Sequence, residues 1–372
     1  MSVQSESFDV AVVGGGAIGL ACAWRATQRG ARVVVIDPGT RAHPPAWQVA
    51  AGMLAPVSEA EFGERALLEL GLESAKRYAD FCAELEQPGY TTAGTLVVAR
   101  DRDEAEALDR LAAFRTDLGL PVERLRPSQA RKVEPALAPT IRLALRVDGD
   151  HSIDPRRLVG ALARAFTGTR VTAHVAGLLV EGEKVIGVRL QDGSTVPAAQ
   201  VVVAAGVDVA RLEMPEHARV PVRPVKGQVL RLRDPSGPGL VERTIRGEHA
   251  YLVPRGDGHY VLGATMEERG WDTTPTAGGI YELLRDMSEL VPGIFELDIE
   301  ELLAGLRPAT PDNLPAIGRG ALEGLVWATG HFRNGILLTP VTADVVAAVL
   351  AGEELPEFAA AADPSRFAGV HA

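Results

Sequence analysis

Residues 8–24 read Phe-Asp-Val-Ala-Val-Val-Gly-Gly-Gly-Ala-Ile-Gly-Leu-Ala-Cys-Ala-Trp. The first six, Asp9 apart, are apolar and largely β-branched without alternation, the pattern of a strand buried on both faces of a parallel sheet. From Ala17 the composition becomes helix-forming, and Gly30 supplies a residue suited to closing that helix. Between the two, Gly14, Gly16 and Gly19 fit the spacing G-x-G-x-x-G. In that arrangement Gly14 makes the tight turn, Gly16 admits a pyrophosphate against the backbone, and Gly19 lets helix and strand pack closely. The helix start, Ala17 and Ile18, then meets the phosphates with free N–H groups. Residues 32–37 read as a second strand, at whose end Asp37, followed by Pro38, is placed to accept hydrogen bonds from an adenosine ribose. The opening is therefore a βαβ unit of Rossmann type, and the bland alternative is a glycine turn that binds nothing.

Outward from this unit the pattern changes. A loop at 38–47 leads to the small-residue run Val49-Ala-Ala-Gly-Met-Leu-Ala-Pro56, which lets something flat approach the backbone. A charged helical stretch at about 60–85 follows, and then strands and hairpins at 94–99, 141–147 and 171–190 suggest an antiparallel layer in the middle of the chain. Val-Val-Val-Ala-Ala-Gly at 201–206 returns to buried-strand character, and 222–233, 244–254 and 260–265 alternate again. A helix at 277–290, short strands at 303–307, 316–319 and 325–329, and an Ala/Val-rich helix at 340–351 complete the chain. The expected fold is mixed α/β: a Rossmann-type FAD-binding domain (1–90, 148–215 and 305–372) interleaved with an antiparallel-sheet substrate domain (91–147 and 216–304), with the site between them. The glycine fingerprint does not separate NAD from FAD. An NAD enzyme usually continues with parallel βαβ units, whereas this chain leaves for an antiparallel layer and returns, which favours FAD.

Composition removes several classes. A chain of 372 residues with 46% hydrophobic and 23% charged residues has the make-up of an ordinary globular protein long enough for two domains. A net charge of −11 without a basic run argues against nucleic acid or anionic lipid as partner. Two distant cysteines, Cys22 and Cys82, suggest neither a disulfide framework nor a metal site. The acidic leader at 1–9 lacks the charge pattern of a secretory signal, and no run reaches the roughly 18 apolar residues of a membrane span, so the expected location is cytoplasmic. Cys22, Trp24, Trp47, Trp271 and Trp327 read as packing residues.

The C-terminal segment Ala328-Thr-Gly-His-Phe-Arg-Asn-Gly-Ile-Leu-Leu-Thr-Pro340 places glycines and a polar loop before a helix. Partial positive charge at that helix start can stabilise the negative charge of a reduced flavin, or the segment is a plain helix-start loop. Two arginines stand nearby, Arg307 in Gly-Leu-Arg-Pro and Arg333 in His-Phe-Arg-Asn-Gly. A planar, permanently charged fork suits a substrate carboxylate, and the alternative for each is a pair with a protein acid.

Taken together, the opening segment, AAGMLAP (50–56), PVKGQ (224–228), HAYLVPR (249–255), LGATMEERGWD (262–272), GLRPATPDNLPAIG (305–318) and ATGHFRNGILLTP (328–340) resemble the D-amino-acid-oxidase-like flavoproteins, nearly end to end. The last segment is most similar to the glycine oxidases of thiamine biosynthesis. The resemblance implies that Arg307 binds the substrate carboxylate, that Arg333 lies beside the substrate, and that Tyr251, His249 and Met266 line the pocket. It further implies that Ala51, Gly52 and Met53 touch the flavin ring, that the backbone of Val175 holds the adenine, and that His331, Phe332, Asn334, Gly335, Ile336 and Leu337 wrap the ring's far edge. The FAD is expected to be non-covalent, since neither cysteine lies near the C-terminal motif. Family members commonly carry Glu where this chain has Asp37, and the loop at 41–48 is atypically rich in proline. The implied reaction is oxidative deamination of glycine to glyoxylate through iminoacetate, with O2 reduced to H2O2 and the imine feeding thiazole construction. Alternatives are oxidation of sarcosine or another small D- or N-alkyl amino acid, a dehydrogenase passing electrons to a carrier, and a non-enzymatic nucleotide-binding module. Besides the amino acid and O2 the implied partner is the chain itself, as a homo-oligomer such as a tetramer.

Overall fold

A computed structural model describes residues 7–369, so most of the acidic leader, residues 1–6, lies outside them. Strand Phe8–Val13 runs parallel to Val33–Asp37 on one side and to Thr195–Val203 on the other, with Val12 beside both Val35 and Val202. Thr169–Thr172 extends the sheet in parallel beyond Val33–Asp37. The first half of Thr195–Val203 carries the antiparallel hairpin Val175–Glu181 and Lys184–Leu190, and its second half pairs in parallel with Leu325–Thr329, which in turn pairs with Ala316–Arg319. These make one eight-stranded sheet. Helices Ala17–Gln28, Arg65–Ala83, Pro155–Ala165 and Thr339–Leu350 share a single apolar core on one of its faces.

A second eight-stranded sheet has the order Asp298–Ala309, Arg223–Arg233, His259–Gly263, Tyr251–Pro254, Thr244–Arg246, Thr95–Ala99, Leu143–Val147, Glu123–Leu125. It is antiparallel except where Thr244–Arg246 meets Thr95–Ala99. A three-stranded sheet, Met53–Leu54, His151–Ile153 and Tyr90–Thr91, carries the small-residue run. The middle of the chain is thus divided: strands within 94–99 and 141–147 enter the second sheet, while 171–190 extends the first. Strand Asp298–Ala309 belongs to the second sheet over its whole length.

Four α-helices among the described residues were not anticipated from the sequence: the single turn Ala46–Val49, Arg102–Asp117, Pro127–Val133 and Pro155–Ala165. Two of them carry cap signals, and Pro155–Ala165 adds a buried apolar stripe of Leu158, Val159, Ala161 and Leu162. The Asp101 carboxylate accepts from Glu104 N at 2.9 Å, and Asp154 accepts from Arg156 N at 2.9 Å with Pro155 in the first turn.

The opening strand and helix pack closely at the glycine turn. A Cβ built on Gly19 would lie 1.9 Å from the carbonyl oxygen of Gly14, so the helix touches the turn backbone to backbone. At Gly16 the nearest neighbour of such a Cβ is Trp47 Cδ1 at 3.5 Å, an ordinary contact. Gly19→Ala is therefore expected to lower the unfolding free energy by about 1–3 kcal/mol through overpacking, whereas Gly16→Ala costs less than about 1 kcal/mol. Denaturant midpoints of the two variants check the order. Loss of cofactor should appear in both, in Gly19→Ala through a displaced turn and in Gly16→Ala through the added methyl alone.

Candidate active site

A cleft of about 900 Å3 runs between the two large sheets. Its inner end is the helix start. Gly16 caps helix Ala17–Gln28 in an extended conformation without any side-chain cap, which leaves the first-turn N–H groups for a ligand. The Asp37 carboxylate beside this turn accepts from Gly15 N at 2.6 Å and Gly39 N at 2.9 Å, and is paired with Arg41. Two carboxylate oxygens offer about four acceptor positions, so capacity for a ribose hydroxyl remains. The proline-rich loop supplies Arg41, His43 and Trp47 to the cleft wall. His43 Nε2 lies 3.1 Å from Asp208 Oδ1, and that hydrogen bond raises its pKa. Sequence reading missed Arg41 and His43 and took Trp47 for packing. A cation four residues beyond Asp37 was the available signal.

Midway along the cleft, Ala51, Gly52 and Met53 form one wall. They are held from behind by Arg255, which donates to Ala51 O at 2.7 Å and to Ile153 O at 3.1 Å; burial lowers its pKa to about 10. Opposite stand His331, Phe332, Gly335 and Ile336. Helix Arg65–Ala83 fixes this segment, Ser74 donating to Leu337 O at 2.6 Å and the Tyr78 hydroxyl to Ile336 O. His331 is 3% exposed and its Nε2 is 2.9 Å from the Thr342 hydroxyl. Burial lowers its pKa to about 3, so it is a neutral hydrogen-bonding group.

The outer end is built on the second sheet. Arg307, opposite Val225 in strand Asp298–Ala309, donates from Nη1 to Thr265 O at 3.0 Å and to Lys226 O at 3.2 Å. Its guanidinium lies flat over Gly227, where a Cβ would come within 2.4 Å of it. This close approach is what the glycine of the Pro-Val-Lys-Gly-Gln segment permits. The Tyr251 hydroxyl stands beside it, and burial raises the Tyr251 pKa, keeping a neutral phenol. Every other arginine on the cleft wall has a carboxylate within 4.0 Å: Arg41 with Asp37, Arg246 with Glu59, Arg269 with Glu267, Arg285 with Asp286, and Arg333 with Glu64 at 2.6 Å. Among the described residues, Arg307 is the cleft arginine that has none. The two alternatives left open for the arginines thus divide, Arg333 being acid-paired and Arg307 free. Such a fork can take a carboxylate, with Tyr251 as a second donor.

His249 and Met266 stand on the same wall, Met266 at the mouth with 65% exposure. Gly14 and Gly19 shape the turn rather than line the cleft, and Pro38 follows Asp37 outside it. Asn334 and Leu337 face a separate hollow with Glu61 and Glu64. Val175 pairs with Leu190 in the hairpin, off the cleft wall. Glu59 and Arg246 reach the cleft without having been singled out in the sequence. Their stretches, Ser-Glu-Ala-Glu and Thr-Ile-Arg-Gly, read as a solvated helix start and an ordinary strand. Among the described residues no cluster could hold a metal ion, and no helix is long and apolar enough to cross a membrane.

The neutral His331 generates a pH dependence. The unfolded imidazole titrates near its ordinary value of 6.5 and the folded one near 3, so on acidification the unfolded state takes up the proton first and stability falls. Relative to wild type, His331→Asn should therefore gain about 1–2 kcal/mol between pH 7 and pH 5, read from paired denaturant curves. A difference that stays flat over this range refutes a buried neutral imidazole.

Comparison with known proteins agrees with this geometry. The FAD dependent oxidoreductase family (DAO) matches residues 9–349. A glycine oxidase of Geobacillus kaustophilus is 32% identical over 368 residues, covering 94% of this chain and 95% of that protein. The crystal structure of glycine oxidase from Geobacillus kaustophilus superposes with a TM-score of 0.89 at 31% identity, over 97% of this chain and 99% of the other. The bifunctional protein ThiO/ThiG of Trichormus variabilis is 34% identical over 353 residues, 91% of this chain but 52% of that protein, so the chain spans about half the length of this relative. The glycine turn, the Asp37 carboxylate and the cleft between the sheets fit FAD, and the chain belongs to the family of FAD-dependent oxidoreductases.

Proposed function

We propose that this protein is an amine oxidase that converts glycine, O2 and water to glyoxylate, ammonia and H2O2, with FAD held non-covalently. The observation that carries the reading is Arg307, among the described residues the cleft arginine without a carboxylate, set beside a neutral tyrosine. A small amino acid would seat its carboxylate on Arg307 and the Tyr251 hydroxyl, with Arg333, His249 and Met266 around it. Fixing the carboxylate in this way fixes the α-carbon, which is the entropic part of the catalysis. FAD supplies the two-electron acceptor for the α-hydrogen and its electron pair, and O2 restores it. Departure of that hydride needs the amine in its neutral form, whose lone pair becomes the imine bond, so no strong protein base is required. Water then hydrolyses the imine, or the imine passes on to thiazole construction for thiamine, as the resemblance to the glycine oxidases of that pathway implies.

In the same proposal Gly16, Ala17 and Ile18 hold the pyrophosphate on the turn that Gly14 and Gly19 shape, and Asp37 and Pro38 hold the ribose. The strip Ala51 to Met53 and the segment His331 to Leu337 hold the ring, and Val175 the adenine. The cofactor unit comprises 1–90, 148–215 and 305–372, and the substrate unit 91–147 and 216–304. The chain associates with itself as a homo-oligomer.

Anaerobic glycine is expected to bleach the flavin bands, and aeration to restore them with release of peroxide. Arg307→Leu should raise the glycine concentration needed for half-maximal bleaching about 100-fold, the loss of a charge-assisted pair of hydrogen bonds. Bleaching without peroxide would replace the oxidase by a dehydrogenase. Bleaching by sarcosine or D-alanine but not by glycine would change the substrate, and an unaltered response in Arg307→Leu would remove the carboxylate site.

A further inference from the structure

The turn at 57–60, between the small-residue strip and helix Arg65–Ala83, is gripped from two sides by buried charges. Asp150, fully buried, accepts from Val57 N at 3.1 Å and Ser58 N at 2.5 Å. Arg115, 2% exposed on helix Arg102–Asp117, donates to Ser58 O at 2.6 Å and Ala60 O at 3.4 Å. Removing a charge from water costs several kcal/mol per ion, and chain turns ordinarily hold their shape through Gly, Pro or Asn instead. Two buried ions spent on one short turn point to a side chain whose position matters.

That side chain is Glu59. It lies between the anchored residues, lines the cleft, and its side chain is 16% exposed. Arg246 donates to Oε1, and Oε2 has no hydrogen-bond donor among the described residues. Arg246 is the register partner of Tyr251, which places the pair one strand from the phenol beside Arg307. The Glu59 charge favours the protonated form of both Arg307 and Tyr251, so it acts across the same pocket. Of the other acids lining the cleft, Glu267 Oε1 accepts from Thr265 and Gln228, Asp208 bonds His43 and Asp286 pairs with Arg285, while Glu61, Glu248 and Glu282 are exposed to solvent. The pocket therefore presents a lone guanidinium and, across from it, a carboxylate oxygen still open to a donor. A small α-amino acid carries the complementary pair of charges on adjacent carbon and nitrogen atoms.

We propose that Glu59 receives the protonated amino group of the incoming substrate and is the residue that makes the site prefer a zwitterion to a plain carboxylate, with Asp150 and Arg115 as positioning residues for its turn. The inference rests on Arg307 holding the carboxylate. It concerns recognition on entry; the ammonium passes a proton to solvent water before the hydride leaves, so that the neutral amine's lone pair is available.

The test compares glycine with acetate, which has the carboxylate and lacks the amine. Acetate affinity is read from the perturbation of the flavin spectrum of the holoenzyme, and glycine affinity from anaerobic bleaching. Glu59→Gln is expected to weaken glycine about tenfold or more while acetate binds as well as in wild type or tighter, because Arg246 loses its partner and the pocket becomes more positive. Glu59→Asp should keep a preference for glycine, and Asp150→Asn should shift the glycine-to-acetate ratio in the same direction as Glu59→Gln. The ratio is internal to each preparation, so it does not depend on the folded fraction. Equal weakening of both ligands in Glu59→Gln overturns the role of Glu59 while leaving Arg307 in place. Wild-type protein that fails to bind acetate, or binds it undiminished in Arg307→Leu, overturns the Arg307 reading itself.

Discussion

A guanidinium set into a protein wall without a carboxylate is held against its preference for water, and the second sheet is organised around keeping Arg307 in that condition. Two main-chain carbonyls, Lys226 O just before Gly227 in the same strand and Thr265 O just past strand His259–Gly263, accept from it, and they give partial rather than full negative charge. Gly227 removes the side chain that would displace it. Lys226, whose carbonyl is used here, is itself fully buried, with its Nζ 2.6 Å from Asp272 Oδ2 and from Thr274 O. That anchor ties the segment after strand His259–Gly263 to strand Arg223–Arg233, and so fixes Thr265 as well. Removing a charge partner elsewhere on the wall would leave a buried ion unpaired; at Arg307 the fold has arranged for that state to persist.

The two sheets meet at this point because each supplies half of what the chemistry needs. The parallel sheet ends in a glycine turn and a helix start, a device for phosphate that depends on backbone N–H groups. The antiparallel sheet supplies side chains at alternating positions, which is how Arg307, Tyr251 and Arg246 face one cleft from three strands. Neither sheet alone encloses the cleft. The chain passes repeatedly between them, and buried arginines stitch the crossings: Arg255 holds the Ala51 and Ile153 carbonyls, and Arg115 holds those of Ser58 and Ala60.

This division also explains what could be read from the sequence. Backbone devices have fixed spacing, so Gly14, Gly16, Gly19 and Asp37 were legible as a set, and the resemblance of later segments to a flavoprotein family carried Arg307, Tyr251 and Ala51 to Met53. Charge neutralisation has no spacing. That Arg333 meets Glu64, 269 residues away, while Arg307 meets no acid, is decided by which strands become neighbours. Helix Arg102–Asp117 was missed for a related reason: its exposed charged face dominates the composition, and it buries only Leu108 and Arg115. Residues 171–190 have hairpin character that fits either sheet, and only the pairing of Lys184–Leu190 with Thr195–Val203 assigns the hairpin to the first.

The placement of the unpaired cation has a consequence for how selective such a pocket can be. Every compensated pair on the wall, from Arg41 and Asp37 to Arg333 and Glu64, adds polarity without net charge, and so repels no small molecule strongly. Among the described residues Arg307 is the arginine of this wall without such a pair, and Glu59, although paired with Arg246 through Oε1, keeps Oε2 open. With only the cation, any small organic anion of suitable size would compete with the substrate at cellular concentrations, because a charge-assisted pair of hydrogen bonds is indifferent to what lies beyond the carboxylate. Discrimination against such anions requires a second charge of opposite sign held at a fixed separation, and fixed separation in turn requires an anchored backbone. Of the acids on this wall, Glu59 meets both conditions, its turn being clamped by Asp150 and Arg115.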